Sequence, residues 1–138
     1  MSKFCYGFWA VLLFSPMVLA QPSSFTPPPR LLFPDIGDVL DNGCQNLRSG
    51  IYWTFIWSPV PNATAYHLYV KGSNATSPVI NNANIRLPEY IDKQSGSYII
   101  DRNRLGWRWK VRAKVNGQWT AWSEERQFDV EPLNADCR

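Results

Sequence analysis

The sequence is short of the residues on which most enzymes and metal proteins depend. Among its 138 residues there are one histidine, His67, and three cysteines. His67 lies between Tyr66 and Leu68 in an alternating segment, where it is predicted to point outward from a sheet as a surface residue rather than to act as a base. A tetrahedral zinc site would lack ligands, and neither a phosphate-binding glycine loop nor a pair of catalytic carboxylates is present. We therefore expect no catalytic activity, no metal and no cofactor.

Long apolar runs are also scarce, and no amphipathic helix of useful length appears. The apolar run Phe8 to Phe14 follows Lys3 and precedes Val18-Leu19-Ala20, which is the pattern of a signal-peptidase site before Gln21. The alternative is a membrane anchor, but Ser15-Pro16 interrupts the run, which is shorter than the roughly 20 residues that span a bilayer. We predict that residues 1–20 are a signal peptide.

Loss of this signal would leave a mildly basic chain. Removing Lys3 lowers the formal net charge from +3 to +2 (3 − 1), and removing Cys5 leaves Cys44 and Cys137. A charge of this size is not typical of nucleic-acid binders, so no nucleic-acid partner is expected. Export implies an oxidising compartment, where two cysteines form a disulfide more often than a metal site. We expect a monomer that is secreted or held in the cell envelope, either extracellular or periplasmic.

The remaining sequence divides into a spacer, one domain and a short tail. Residues 21–30 are rich in proline and predict a stiff, solvated spacer. Residues 31–132 form the predicted domain, and 133–138 form a tail that carries Cys137. About seven short strands without helices indicate an all-β sandwich of two antiparallel sheets. The strongest strand signals are at Leu31–Phe33, Ile51–Trp57, Ala65–Lys71, Trp107–Lys114 and Gln127–Val130, with weaker ones at Pro78–Ile80, Leu87–Ile91 and Ser97–Ile100.

Two stretches between these strands are predicted to be irregular. Residues 35–50 are rich in Asp, Asn, Gly and Ser and read as a loop, and the asparagines at 81, 82 and 84 favour a turn. Asp35, Asp38 and Asp41 could be imagined as calcium ligands, but the oxygen spacing of a known calcium loop is missing, so turn chemistry is the preferred interpretation.

The most informative segment is Trp107–Lys114, in which aromatic or apolar residues alternate with cations. Side chains alternate between the two faces of a strand. One face therefore joins the core, and the other carries a cationic row of Arg108, Lys110, Arg112 and Lys114. Asn116-Gly117 suits the positive φ angles of a tight hairpin, which would return Trp119 and Trp122 alongside that row.

Taken together, these segments resemble a fibronectin type III domain over nearly the whole chain after residue 30. The resemblance rests on Leu31–Pro34 as the first strand, Phe55–Val70 as strands B and C with their turn, Trp109–Ala113 as strand F and Trp119–Val130 as strand G. It implies an immunoglobulin-like sandwich with Trp57 at the centre of a core that includes Leu68, Trp109 and Phe128. Trp109 replaces the tyrosine usual in strand F, so that tyrosine's hydrogen bond cannot be carried over.

The segment Trp119–Ser123 also resembles the tryptophan-serine box of cytokine-receptor modules, with Thr120 in place of the first serine. In such modules, arginines of strand F stack between the tryptophans. The resemblance implies a ladder of Arg108 and Arg112 with Trp119 and Trp122, each contact being worth about 0.5–1 kcal/mol when exposed.

The resemblance also bears on the cysteines. In this fold the first and last strands run in the same direction, which brings the loop that holds Cys44 towards the pole where Cys137 follows the last strand. A Cys44–Cys137 disulfide is the prediction, and pairing of Cys137 with another chain is the alternative.

The leading hypothesis is an exported, non-catalytic binding or scaffold module with an unidentified protein or glycan partner. The partner would approach either the exposed face of strands C, F and G or the loop pole formed by Pro59–Thr64 and Asn116–Trp119. On the exposed face, the cationic row together with His67, Tyr69 and Lys71 would receive an acidic partner or glycan; the alternative is that Glu125 and Asp129 neutralise the row internally. Sequons at Asn62 and Asn74 matter only in a glycosylating host. A second hypothesis is a carbohydrate-binding module that uses exposed rings of Tyr69, Trp119 and Trp122.

Overall fold

A computed structural model describes residues 25–43, 50–94 and 103–132, and within these ranges the chain forms strands and no α-helix. The predictions for the signal peptide, for Ser97–Ile100, for both cysteines and for the tail lie outside the described residues. The strands are β1 (Leu31–Phe33), β2 (Val39–Leu40), β3 (Ile51–Trp57), β4 (Ala63–Lys71), β5 (Ile80–Ile85), β6 (Glu89–Gln94), β7 (Trp107–Val115), β8 (Gln118–Trp119) and β9 (Arg126–Val130).

The strands pack as two sheets. The smaller sheet has the order β1-β3-β6, and the larger has the order β2-β9-β7-β4-β5, with β8 paired to β7. Neighbouring strands are antiparallel except for β2 and β9, which are parallel. The predicted all-β sandwich is therefore confirmed. The described chain holds two strands more than the seven expected, because β2 and β8 are two-residue strands too short to show as a pattern.

Alternation in β3 and β7 builds the core. Every second residue of β3, from Ile51 to Trp57, is buried, and so is every second residue of β7 from Trp107 to Ala113. Rings from the two sheets meet edge to face or tilted: Phe55 lies 5.2 Å from Trp109 between ring centroids, and Trp53 lies 5.6 Å from Phe128. Of the four residues assigned to the core, all are buried: Trp57, Leu68, Trp109 and Phe128.

Trp57 contacts the ring of Tyr66 across the sandwich, with the centroids 5.5 Å apart. The Tyr66 hydroxyl accepts a hydrogen bond of 3.0 Å from the Val60 N–H, which ties the loop between β3 and β4 to the core. The indole N–H groups of Trp57 and Trp109 are buried without a hydrogen-bond partner. Trp109 fills the volume expected of a strand F aromatic but provides no hydrogen bond at the corner.

The prediction of a turn around the asparagines at 81, 82 and 84 is wrong. They lie within β5, where Leu68 pairs with Asn82 and Tyr69 with Asn81. Asparagine has a low intrinsic preference for strands, but pairing to a buried neighbour overrides such preferences. A local irregularity remains, because the Asn82 side chain accepts a hydrogen bond of 2.9 Å from the Asn84 N–H.

Candidate functional site

The outer face of the larger sheet carries four cross-strand pairs that place basic and aromatic side chains together. Register between β4 and β7 sets Ala65 opposite Lys114, His67 opposite Arg112, Tyr69 opposite Lys110 and Lys71 opposite Arg108. We call Lys71, Arg108, Lys110, Arg112 and Lys114 the basic face. Antiparallel partners directly opposite each other lie close enough for their side chains to interact.

The chain then folds back over this face through a tight hairpin. Asn116 and Gly117 both have positive φ, at 51° and 75°, as a type I′ turn requires. Beyond β8, the returning segment bonds to β7 at alternate residues. Thr120 N–H donates to the Ala113 carbonyl at 2.8 Å, and Ser123 N–H donates to the Val111 carbonyl at 2.8 Å.

Two hydroxyl groups complete this irregular pairing. The Ala113 N–H donates to the Thr120 hydroxyl at 3.1 Å, and the Val111 N–H donates to the Ser123 hydroxyl at 3.0 Å. Side-chain oxygens therefore take the place of strand carbonyls. The segment Trp119–Ser123 can leave the regular strand geometry without leaving backbone donors unsatisfied, and it presents both tryptophans towards the basic face.

Arg112 lies between the two tryptophans. Its guanidinium carbon is 4.9 Å from the ring centroid of Trp119 and 4.5 Å from that of Trp122. Lys110 and Lys114 extend the arrangement on either side: the Lys110 ammonium is 4.9 Å from Trp122 and 5.3 Å from Tyr69, and the Lys114 ammonium is 5.6 Å from Trp119. The result is a cation–ring ladder of Tyr69, Lys110, Trp122, Arg112, Trp119 and Lys114.

His67 supports the ladder from β4. Its Nδ1 accepts hydrogen bonds from the Arg112 guanidinium, at 3.2 Å from Nε and 3.1 Å from the terminal nitrogen. Because guanidinium has only donors, Nε2 carries the proton and donates to the Asn81 side-chain oxygen at 2.6 Å. The ring also lies 4.8 Å from Trp122. His67 is therefore a positioning residue for Arg112, with both of its ring nitrogens engaged in hydrogen bonds.

Arg108 does not take the stacked position that the sequence predicted. Its guanidinium pairs with Glu125 at 3.2 Å, with the two side chains 49% and 43% exposed. Lys110, which the sequence assigned only to the binding face, occupies the ring contact instead. The reason is the strand register. Trp122 lies beside the pair formed by Lys110 and Tyr69, whereas Arg108 is two residues further along β7, opposite Lys71. In the part of the chain that the structure describes, Asp129 forms no ion pair with the row, and its carboxylate accepts the Gly106 N–H at 2.8 Å.

This geometry argues against the carbohydrate alternative. Sugar binding on aromatic platforms needs an open ring face, and Trp122 has Arg112 and Lys110 against its ring. Trp119 is in contact with Arg112 and Lys114. All three rings proposed for the sugar platform are partly buried in the ladder rather than exposed.

The outer face of the smaller sheet has a different character. Leu32, Tyr52 and Ile91 are 43%, 43% and 57% exposed, and charges there are mixed, with Glu89 and Lys93 on β6. Lys93 lies 5.4 Å over the ring of Tyr52. The sandwich thus has one basic face and one largely apolar face.

The aspartates of the loop after β1 act in turns. Asp35 Oδ1 accepts the Ile36 N–H, Asp38 Oδ2 accepts the Asp35 N–H, and Asp41 Oδ1 accepts the Gly43 N–H, at 2.7–2.8 Å. Within residues 25–43, 50–94 and 103–132, no cluster of histidine and acidic residues could hold a metal ion. Over the same ranges, no helix is long and apolar enough to cross a membrane.

Comparison with known proteins supports the architecture. No family model matches this chain, and a search of curated proteins gave no match. Among solved structures, a Fn3-like protein from Clostridium thermocellum is similar, at 21% sequence identity and a TM-score of 0.51, with 80% of this chain and 99% of that chain covered. At this identity the likeness concerns the fold alone. The chain has an Fn3-like, immunoglobulin-like β-sandwich fold.

Proposed function

We propose that the protein is an exported, non-catalytic module that binds another protein through its basic face. The observation that carries the proposal is the charge of that face. Five cations project from β4 and β7. In the part of the chain that the structure describes, one of them, Arg108, forms an ion pair, and its partner is Glu125. A surface of one sign steers acidic partners towards it and disfavours basic ones.

The ladder supports this role because it holds the cations in fixed positions. Lysine and arginine side chains ordinarily lose conformational freedom when they bind. Contacts with Tyr69, Trp119 and Trp122 restrict Lys110, Arg112 and Lys114 before any partner arrives. A partner that docks on this face meets a preorganised charge pattern, so less ordering accompanies binding.

Export and a Cys44–Cys137 disulfide belong to the same proposal. Both cysteines lie outside the described residues, but the segments that precede them run side by side. Asn42 Nδ2 donates to the Glu131 carbonyl at 3.1 Å, and the Glu131 N–H donates to the Leu40 carbonyl at 2.9 Å. We expect the exported protein to begin at Gln21 and to contain no free thiol. N-terminal sequencing and thiol alkylation under non-reducing conditions measure both, and two alkylated cysteines would rule out the bridge.

The binding proposal is tested by capture and cross-linking from extracellular or envelope material of the source organism. The test variant is Lys71→Glu with Arg108→Glu, which reverses two charges outside the ladder. The control is Lys93→Glu on the opposite sheet. We expect the test variant to lose a partner that wild type and control both retain, and the captured partner to dissociate more readily as salt is raised, because exposed charges are screened.

A different result would overturn the assignment of the face. If the double variant retains its partner while Ile91→Asp loses it, binding takes place on the apolar face of the smaller sheet. If all the variants capture every protein that wild type captures, the protein has no binding role under these conditions and the proposal fails.

A further inference from the structure

One end of the basic face opens into a groove that the ladder does not fill. It lies across β5, β4 and β7 beside the hairpin turn and has a volume of about 660 Å³. Its lining combines small residues with the longer side chains of Arg86, Lys114 and Trp119. A volume of this order lies within the roughly 300–1,000 Å³ typical of ligand sites. Arg86 follows β5 and did not stand out in the sequence.

The charged side chains that line the groove are all positive. Arg86 and Lys114 both line it, and no carboxylate does. Within the part of the chain that the structure describes, no acidic side chain forms an ion pair with either cation. The Lys114 ammonium contacts the Trp119 ring at 5.6 Å, which leaves donors directed away from the ring, since ammonium has three. Two cations without counterions at one groove predict an anionic ligand group.

The polar lining adds further hydrogen-bonding capacity. Thr64 and Asn84 are exposed at the groove. The Thr64 hydroxyl donates weakly to the Lys114 carbonyl, at 3.3 Å, and its oxygen remains able to accept a backbone N–H. Ala65, Ala83 and Gly117 line the groove with little side-chain volume, so a peptide backbone can approach closely there.

We infer that this groove binds a glutamate or aspartate side chain of an extended protein segment, with Arg86 and Lys114 as its counterions. The inference rests on the proposed function and names the anchoring point of that partner. A long anionic polysaccharide fits less well, because a polyanion draws on a long row of cations, whereas this groove offers two.

The bound segment of the partner lies over the outer face of the larger sheet and does not pair as an extra strand with its edge. Strand addition would require the open side of β5 to offer its backbone donors. The Asn84 N–H is already bonded to the Asn82 side chain at 2.9 Å, and β5 is irregular in register where it meets Tyr66 and Leu68. Specificity therefore comes from the two cations and from packing against Trp119.

The experiment is a titration followed by the amide NMR shifts of Ala83, Asn84 and Gly117. The probes are a capped ten-residue peptide with two glutamates beside a leucine, its glutamine counterpart, and a heparin-derived oligosaccharide. We expect the glutamate peptide to shift the three amides at millimolar concentration, and the glutamine peptide to leave them unchanged. Arg86→Gln and Lys114→Gln should each weaken peptide binding about twofold to fivefold, the range for loss of one exposed ion pair.

Lys93→Gln is the matched control, because it makes the same kind of charge change on the outer face of the smaller sheet. Peptide affinity should stay unchanged in this variant, since the smaller sheet does not line the groove. In the described chain Arg86 forms no ion pair, side-chain hydrogen bond or ring contact, so Arg86→Gln removes none. It therefore also controls for any loss of ladder stability in Lys114→Gln.

Three results would overturn the inference: no shift with the glutamate peptide, equal weakening by Lys93→Gln, or tighter binding of the oligosaccharide to the same amides. The proposed function would survive each of them if partner capture still depended on Lys71 and Arg108. Conversely, peptide binding at the groove with no captured partner would leave the inference standing and count against the wider function.

Discussion

The guanidinium carbon of Arg112 lies 4.5 Å from the ring centroid of Trp122, on a segment that reaches it only after a hairpin turn. The same carbon lies 4.9 Å from Trp119, so one cation joins both tryptophans of the returning segment to strand β7. His67 on β4 also holds the arginine, by accepting two hydrogen bonds from its guanidinium. Arg112 is therefore a centre of local stability as well as of charge.

Replacing Arg112 by alanine should destabilise the fold more than replacing Arg108. Arg112→Ala removes two cation–ring contacts and leaves His67 Nδ1 without its donors, for a loss of about 1–2 kcal/mol. Arg108→Ala removes a half-exposed ion pair, which is typically worth less than about 1 kcal/mol. Urea unfolding of both variants measures the difference. Equal losses would mean that the ladder contributes nothing beyond an ordinary surface charge.

The hydroxyl of Ser123 should matter more than its small size suggests. Ser123→Ala leaves the Val111 N–H buried without its side-chain acceptor, and an unsatisfied buried donor costs about 1–3 kcal/mol. Thr120→Ser is the control, because it retains the hydroxyl that accepts the Ala113 N–H. Thermal unfolding should show a clear loss for Ser123→Ala and little change for Thr120→Ser; the reverse order would contradict the assigned hydrogen bonds.

Two buried tryptophans should respond differently to the same substitution. Trp53 donates its indole N–H to the Asp41 carbonyl at 2.8 Å, whereas the N–H of Trp109 is buried without a partner. Trp53→Phe loses a hydrogen bond, while Trp109→Phe removes an unsatisfied donor. We expect the free energy of unfolding to fall by about 1 kcal/mol more for Trp53→Phe, measured by guanidinium unfolding. A larger loss for Trp109→Phe would show that ring volume outweighs the hydrogen bond.

The hairpin at Asn116-Gly117 offers a test of backbone strain separate from packing. A Cβ at Gly117 would meet no heavy atom within 4 Å, but the residue has a φ of +75°. Gly117→Ala should therefore destabilise the fold by about 1 kcal/mol through conformation alone. Asn116→Gly should be close to neutral, because glycine adopts the positive φ of that position readily. Stability of Gly117→Ala equal to wild type would show that the turn relaxes to another type.

Much of the sandwich could be predicted from local pattern. The bounds of β3 coincide with the alternating segment Ile51–Trp57, and the bounds of β7 differ from Trp107–Lys114 by one residue. Both strands are half-buried, so their side chains record the two faces directly. Of β5 only the first residue, Ile80, lay in a predicted strand, because the asparagines that follow are held by pairing with β4 rather than by any preference of their own.

The site was predictable only in outline. The alternating pattern and the hairpin predicted that the cations and the tryptophans lie near each other. Which cation contacts which ring depended on the register between β4 and β7 and on where the returning segment crosses. Because of that register, Trp122 contacts Lys110 and Arg112, and Arg108 forms an ion pair with Glu125 instead. The groove beside Arg86 was invisible in the sequence, because it is formed by three strands that lie far apart along the chain.

By itself the sequence determined the all-β class, the inward and outward faces of β3 and β7, and the hairpin at Asn116-Gly117. These features follow from interactions between residues close together in the chain, where a period of two or a positive φ leaves a direct mark. Tertiary structure alone decided which cation stacks on which ring, which asparagines join a strand, and where two cations remain unpaired beside a groove. Those outcomes depend on distances between separate strands, and no local pattern encodes them.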